Sequence, residues 1–272
     1  MCRMAALVAP AAAPLSTLLT DAPHALAEQA YRPRLQHSGF VNVDGTGIVW
    51  WPETGAEPLR YVTDRPPWSD PNLPLLAPRL RGTVQLAAVR SASPGLPFGA
   101  GATAPFLIGG IGVAHNGRIE GIRGPLGRVL LDRLPDNLYA EIEQLTDSVL
   151  LTLTVVGAWR ARPAAGLAGA LAETVADVGR RCAAAGLPAG LTMLAGDGRR
   201  VAGVRAAVGV PSASLFATPD WRGLPGAAVA ASEPLDDDPG WTEVPDRHLV
   251  ELTPGGALLT SLELRTDLET MP

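Results

Sequence analysis

Two cysteines in 272 residues are too few for the disulfide framework that staples small secreted domains. Cys2 and Cys182 stand far apart, and the four histidines, His24, His37, His115 and His248, are scattered. No cluster of metal-ligand spacing results, so neither a zinc site nor any other metal site is expected. Positive charge is also short. The 22 Lys plus Arg stand against 27 Asp plus Glu, a formal net charge of −5. No run of like charge is dense enough to make the basic patch that a nucleic acid or an anionic membrane would want. No apolar stretch reaches the ~18 residues of a membrane span. The apolar run from Met4 to Leu15 has the look of a short signal-peptide core, but only Arg3 precedes it and a proline interrupts it early. A cytoplasmic protein is expected.

What the chain does have is 47% hydrophobic residues, enough for a substantial core. Strand-like and helix-like segments alternate irregularly, without a repeat. Residues 4–8 read as a strand, "PLSTLLTD" and "HALAEQAY" as short helices. In "VDGTGIVWW" a turn leads into a buried strand, with "LRYVTD" as its hairpin partner. "LPLLAPRL" reads as helical, while "TVQLAAVR" and "GGIGVAHNG" are apolar runs ending in Arg90 and in His115-Asn116-Gly117. Two longer helices follow, one starting at Asp147 as N-cap and one near 164–185. The second sets Leu167, Leu171, Val175, Val178 and Cys182 on one face, which marks Cys182 as a small core residue. Short strands close the chain: "LTMLAGDG", "VAGVRAAV", "SASLFAT", "AAVAASEP" and "HLVEL". This pattern favours largely antiparallel sheets packed between helices. We expect one domain over 2–262 and a loose tail over 263–272.

Cys2 follows the initiator methionine directly. Its small side chain makes Met1 a substrate for methionine aminopeptidase, which would leave Cys2 with a free α-amine of pKa about 8. That amine can serve as general base for the thiol of the same residue. A nucleophile of this kind needs donors aimed at a developing oxyanion. Asn116, with a side-chain NH2, and Gly117, with an accessible N–H, suit that need, although Asn-Gly is equally a hairpin turn. Arg90 at a strand end can grip a carboxylate bidentately, or be a surface arginine. Asp147 at a helix start can pair with an ammonium, or simply cap the helix.

In chain order, "MCR", "DGTG", "VRSAS", "HNG" and "TDS" resemble the class II glutamine amidotransferase domain. The resemblance implies an N-terminal-nucleophile hydrolase fold, an α+β four-layer αββα sandwich of two mainly antiparallel sheets. It implies Cys2 as nucleophile, Asn116 and Gly117 as oxyanion hole, Arg90 for the glutamyl carboxylate and Asp147 for its ammonium. Ser93 takes the place of a substrate-contacting threonine, and no cofactor is required. "RPRLQHSGFVNVDGTG", "AAVRSASPGLP", "ATAPF" and "ASEPLDDDPGWTEVPDRHLVEL" are similar to the γ-glutamyl hydrolases of ergothioneine biosynthesis. The substrate so implied is γ-glutamyl-hercynylcysteine sulfoxide, a small molecule. Alternatives are a glutaminase subunit feeding ammonia to a synthase, and a binding module without turnover.

Two positions depart from the family pattern, Met4 where histidine is usual and Thr46 where tryptophan is usual. Both put the leaving group in question, though not the amide hydrolysis. Ser232, Glu233 and Asp236 to Asp238 either line the pocket, where a carboxylate suits a trimethylammonium group, or form an acidic surface turn. Trp50, Trp51, Trp68 and Trp241 are pocket-wall or core residues, and His115 and His248 are read as structural.

Overall fold

The structure, a computed structural model, describes residues 2–36, 39, 41–92, 95 and 97–262. Ser93 and the expected tail 263–272 lie outside the described residues.

The apolar run behind Arg3 is a strand, longer than the 4–8 expected: β1, Arg3–Pro14. It lies inside a seven-stranded antiparallel sheet and is buried on both faces. β2 (Thr46–Trp51), β3 (Leu59–Thr63) and β4 (Arg81–Val89) stand on one side of it. β11 (Phe216–Thr218), β12 (Ala228–Ala231) and β13 (Thr242–Glu243) stand on the other, in the order β13-β11-β12-β1-β4-β2-β3. Alternation splits the side chains between two cores. Met4, Ala6 and Val8 point into the space between the sheets, and Ala5, Leu7 and Ala9 point to the outer layer. The outer layer is built from a π-helical turn, Thr17–Asp21, with α1 (Leu26–Tyr31) and α2 (Leu73–Leu76).

The second sheet has six antiparallel strands in the order β15-β14-β9-β8-β6-β5. They are β5 (Phe106–Ile108), β6 (Ile111–Asn116), β8 (Thr192–Gly196), β9 (Val201–Arg205), β14 (His248–Thr253) and β15 (Gly256–Ser261). A separate two-residue ribbon joins β7 (Ala189–Gly190) to β10 (Ala207–Val208). α5 (Asp147–Ala161) and α6 (Gly166–Ala184) cover the outer face of the six-stranded sheet, with α3 (Pro125–Asp132) and α4 (Asp136–Tyr139) beside α5. The result is the αββα sandwich. Leu167, Leu171, Val175, Val178 and Cys182 are all fully buried, and burial pushes the Cys182 thiol up to about 11.

One helix start differs from expectation. Thr146 caps α5, its Oγ1 accepting the Val149 N–H at 3.1 Å, and Asp147 is the first helical residue. Threonine keeps extended backbone there and reaches three residues on, which frees the carboxylate beside it.

Candidate active site

Cys2 sits one residue ahead of β1. Arg3 pairs with Val89 of β4, so the next position along each strand brings Cys2 beside Arg90. The Cys2 thiol lies 4.0 Å from the Ser91 carbonyl. Arg90 is held by the "DGTG" turn: its N–H donates to Gly45 O at 2.8 Å, and its carbonyl accepts from Asp44 N at 3.0 Å. Asp44 then accepts the Ala92 N–H at 2.7 Å through its carboxylate. A Cβ on Gly45 would lie 2.6 Å from Thr103 Oγ1, which explains a glycine in this turn. The Arg90 side chain is 7% exposed, donates from Nη2 to Pro97 O at 2.7 Å and stacks over Phe98.

The second group of residues gathers where β6 ends. Asn116 is 0% exposed, and neither its Nδ2 nor its Oδ1 finds a partner among the described residues. A buried side-chain amide without partners is costly and points to a ligand oxygen. Gly117 packs so tightly that a Cβ there would collide with the Gly190 carbonyl. That carbonyl lies 2.8 Å from His115 Nε2, while His115 Nδ1 lies 2.9 Å from Ser148 Oγ. A carbonyl only accepts, so Nε2 carries the hydrogen, and Nδ1 is left to accept from the Ser148 hydroxyl. His115 thus ties the end of β6 to the start of α5, a structural role as expected. The same junction is tied by Asp147, whose Oδ2 accepts from Ile119 N and Oδ1 from Ser148 N, each at 2.9 Å.

The two groups face each other across the sheets. Trp51 lies at the end of β2 remote from Thr46 and Val89. A Cβ on Gly112 or Gly196 would come within 3.1 or 3.2 Å of its ring, so β6 enters the interface at that remote end. Running from there, β6 delivers Asn116 at the end where Cys2 and Arg90 stand. Electrostatics sharpens the picture. Arg90, nearly buried, has no carboxylate partner among the described residues; Asp147, 3% exposed, has no cationic one. It stands in the first turn of a 15-residue helix. Buried unpaired charges are expensive, and a ligand carrying both a carboxylate and an ammonium would relieve both.

The other candidates divide. Met4 is buried in the inter-sheet core, on the strand face that alternation also gives Cys2. Thr46 is buried, and its hydroxyl donates to Arg65 O at 2.8 Å. Trp50 and Trp51 are core, and Trp68 is exposed. Of the "SEPLDDD" residues, Ser232 and Glu233 are fully buried, and Asp236 accepts both the Trp221 and Trp241 indole N–H groups, at 2.7 and 2.8 Å. Ser232, Glu233 and Asp236 are thus internal anchors, while Asp237, 86% exposed, fits the surface-turn reading. Ile119 escaped sequence reasoning, while Thr146, Asp44 and Ser91 were marked only as members of the "TDS", "DGTG" and "VRSAS" motifs, with no contact foreseen for them. Among the described residues no group of three or more His, Cys, Asp and Glu could hold a metal ion.

No family model matches the chain. A γ-glutamyl-hercynylcysteine sulfoxide hydrolase from Mycobacterium tuberculosis is 37% identical over 249 residues, 92% of each chain. One from Mycolicibacterium smegmatis is 35% identical over 248 residues, 91% of this chain and 94% of its own. Among solved structures, a glutamine aminotransferase class-II domain protein from Silicibacter pomeroyi superposes with a TM-score of 0.68 at 20% identity. That match spans 96% of this chain and 98% of the other.

Proposed function

The chain belongs to the family of γ-glutamyl-hercynylcysteine sulfoxide hydrolases, and from that membership we propose that it cleaves the γ-glutamyl amide of γ-glutamyl-hercynylcysteine sulfoxide. The products are glutamate and hercynylcysteine sulfoxide, a step of ergothioneine biosynthesis. What supports this reading is that Arg90 and Asp147 are both buried without an oppositely charged partner among the described residues, and that Asn116 is a buried amide with no partner there. A free α-amino acid head group satisfies both charges at once.

In this reading Met1 is removed and the Cys2 α-amine takes the thiol proton as sulfur attacks the γ-carbonyl. The oxyanion is held by Asn116 Nδ2 and the Gly117 N–H. Arg90 binds the glutamyl carboxylate and Asp147 its ammonium. The α-ammonium returns the proton to the departing nitrogen as the C–N bond breaks, leaving a γ-glutamyl thioester on Cys2. Water, deprotonated by the same amine, then attacks the thioester carbon; the C–S bond breaks, glutamate leaves and the thiol is restored. Residues 2–262 act as one domain, and the reaction takes place in the cytoplasm without a cofactor. No helix among the described residues is long and apolar enough to cross a membrane.

Glutamate release from the sulfoxide conjugate and from glutamine, with Cys2→Ala as control, tests the reading. Cys2-dependent turnover of the conjugate, with glutamine nearly untouched, is the expected result. Preference for glutamine would replace it with an ammonia-supplying amidotransferase.

A further inference from the structure

The residue next to Cys2 carries a charge that the proposed reaction does not use. Arg3 and Glu233 are both 0% exposed, and Arg3 Nη1 donates to Glu233 Oε1 at 3.1 Å. Ala5 pairs with Ala231 across β1 and β12, so two steps further along each strand Arg3 and Glu233 stand opposite each other. Parity turns both toward the helical layer, while Cys2 and Met4 turn inward. Between them Ser232 prolongs the ladder. Its N–H donates to Met4 O at 2.8 Å and its Oγ accepts the Met4 N–H at 3.0 Å.

Glu233 also reaches a third segment. Its carboxylate accepts the backbone N–H groups of Arg34 at 2.8 Å and Leu35 at 3.0 Å. The chain then passes Gln36, which binds Asn42 through its carbonyl oxygen. A Cβ on nearby Gly39 would lie 3.1 Å from Gln36 Nε2 and 4.0 Å from Ser91 Oγ. Ser91 is the residue whose carbonyl neighbours the Cys2 thiol. One carboxylate thus joins the start of the nucleophile's strand, the end of β12 and the segment at Arg34 and Leu35.

As a source of stability this is a poor investment. A buried ion pair seldom outperforms an apolar pair of equal volume. Arg3 Nε and Nη2 have no partner among the described residues, and burial pushes the guanidinium below its ordinary range against the opposing pull of Glu233. Geometry is what the pair supplies. We propose that Arg3 and Glu233 are positioning residues, which fix the Cys2 backbone and the 34–36 segment so that thiol, α-amine and oxyanion donors meet in register. The inference rests on reading Cys2 as the nucleophile.

The test uses Glu233→Gln and the double variant Arg3→Met/Glu233→Leu, an apolar replacement of similar volume. A second probe comes from composition: the chain contains no lysine. Once Met1 is removed, the Cys2 α-amine is its only primary amine, and acylation by an N-hydroxysuccinimide ester, followed by intact mass, reports on that one residue without any substrate. The double variant should melt close to wild type. Its kcat should fall about tenfold to a hundredfold, as misplacement by an ångström does, with KM little changed because Arg90 and Asp147 remain. Its α-amine should acylate at a different rate from wild type. Wild-type kcat and acylation in a stable double variant would overturn the proposal and leave the pair merely structural. If the double variant fails to fold, Glu233→Gln assayed well below its melting temperature decides by the same two readouts. Should Cys2→Ala retain turnover, the nucleophile reading itself fails, an outcome separate from the acylation result.

Discussion

Gly117 cannot carry a side chain without moving the Gly190 carbonyl that His115 also holds. Gly117→Ala should therefore displace the end of β6 and lower kcat steeply, a loss readable in glutamate release from protein whose circular dichroism still reports the native fold. In the proposed mechanism Asn116→Ala removes one oxyanion donor and should cost about 10²–10³ in kcat with KM nearly constant. Arg90→Lys keeps the charge but loses the bidentate fork, so KM should rise about tenfold while kcat changes less. Motif order alone marked Cys2, Arg90, Asn116, Gly117 and Asp147 as candidates, but it could not show what each one touches. That Asp147 accepts from Ile119, 28 residues earlier, depends on a contact between two elements, and local spacing carries no trace of it.

At the scale of elements, α6 was readable because one face is buried and the other wet. Steps of three and four residues then mark the apolar stripe, and Leu171→Ala should cost about 2–5 kcal/mol in urea denaturation. β1 was harder to bound, since burial on both faces erases the alternation that outlines a half-exposed strand. β15 went unread for the opposite reason: Leu258 and Leu259 are exposed on it, so no apolar face sets its period. The cap of α5 was misplaced by one residue because threonine and aspartate both cap well. Thr146→Ala should cost about 1 kcal/mol. It should also loosen Asp147, seen as a raised KM for substrates bearing a free ammonium.

For the molecule as a whole, the "SEPLDDD" stretch is a fastening between layers. Burial pushes the Asp236 carboxyl up, but hydrogen bonds from Trp241, Trp221 and the Asp238 N–H outweigh it and hold it below its ordinary 3.8. A carboxylate held low stabilises the fold above that ordinary value and loses the contribution as pH falls through the lowered one. The melting temperature of wild type should thus drop more steeply below about pH 4 than that of Asp236→Asn, measured by calorimetry across an acid series. The sequence marked this stretch as distinctive without revealing that Glu233 and Asp236 are internal anchors while Asp237 faces solvent, because partners such as Arg3 and Trp221 decide that. The Arg3–Glu233 contact spans 230 residues. On the ribosome, the strand that bears the thiol is therefore made long before the partner that anchors it. Until β12 is made, β1 is the edge of the four-stranded part β1-β4-β2-β3, and its late pairing with β12 is a highly non-local step of the kind that slows folding.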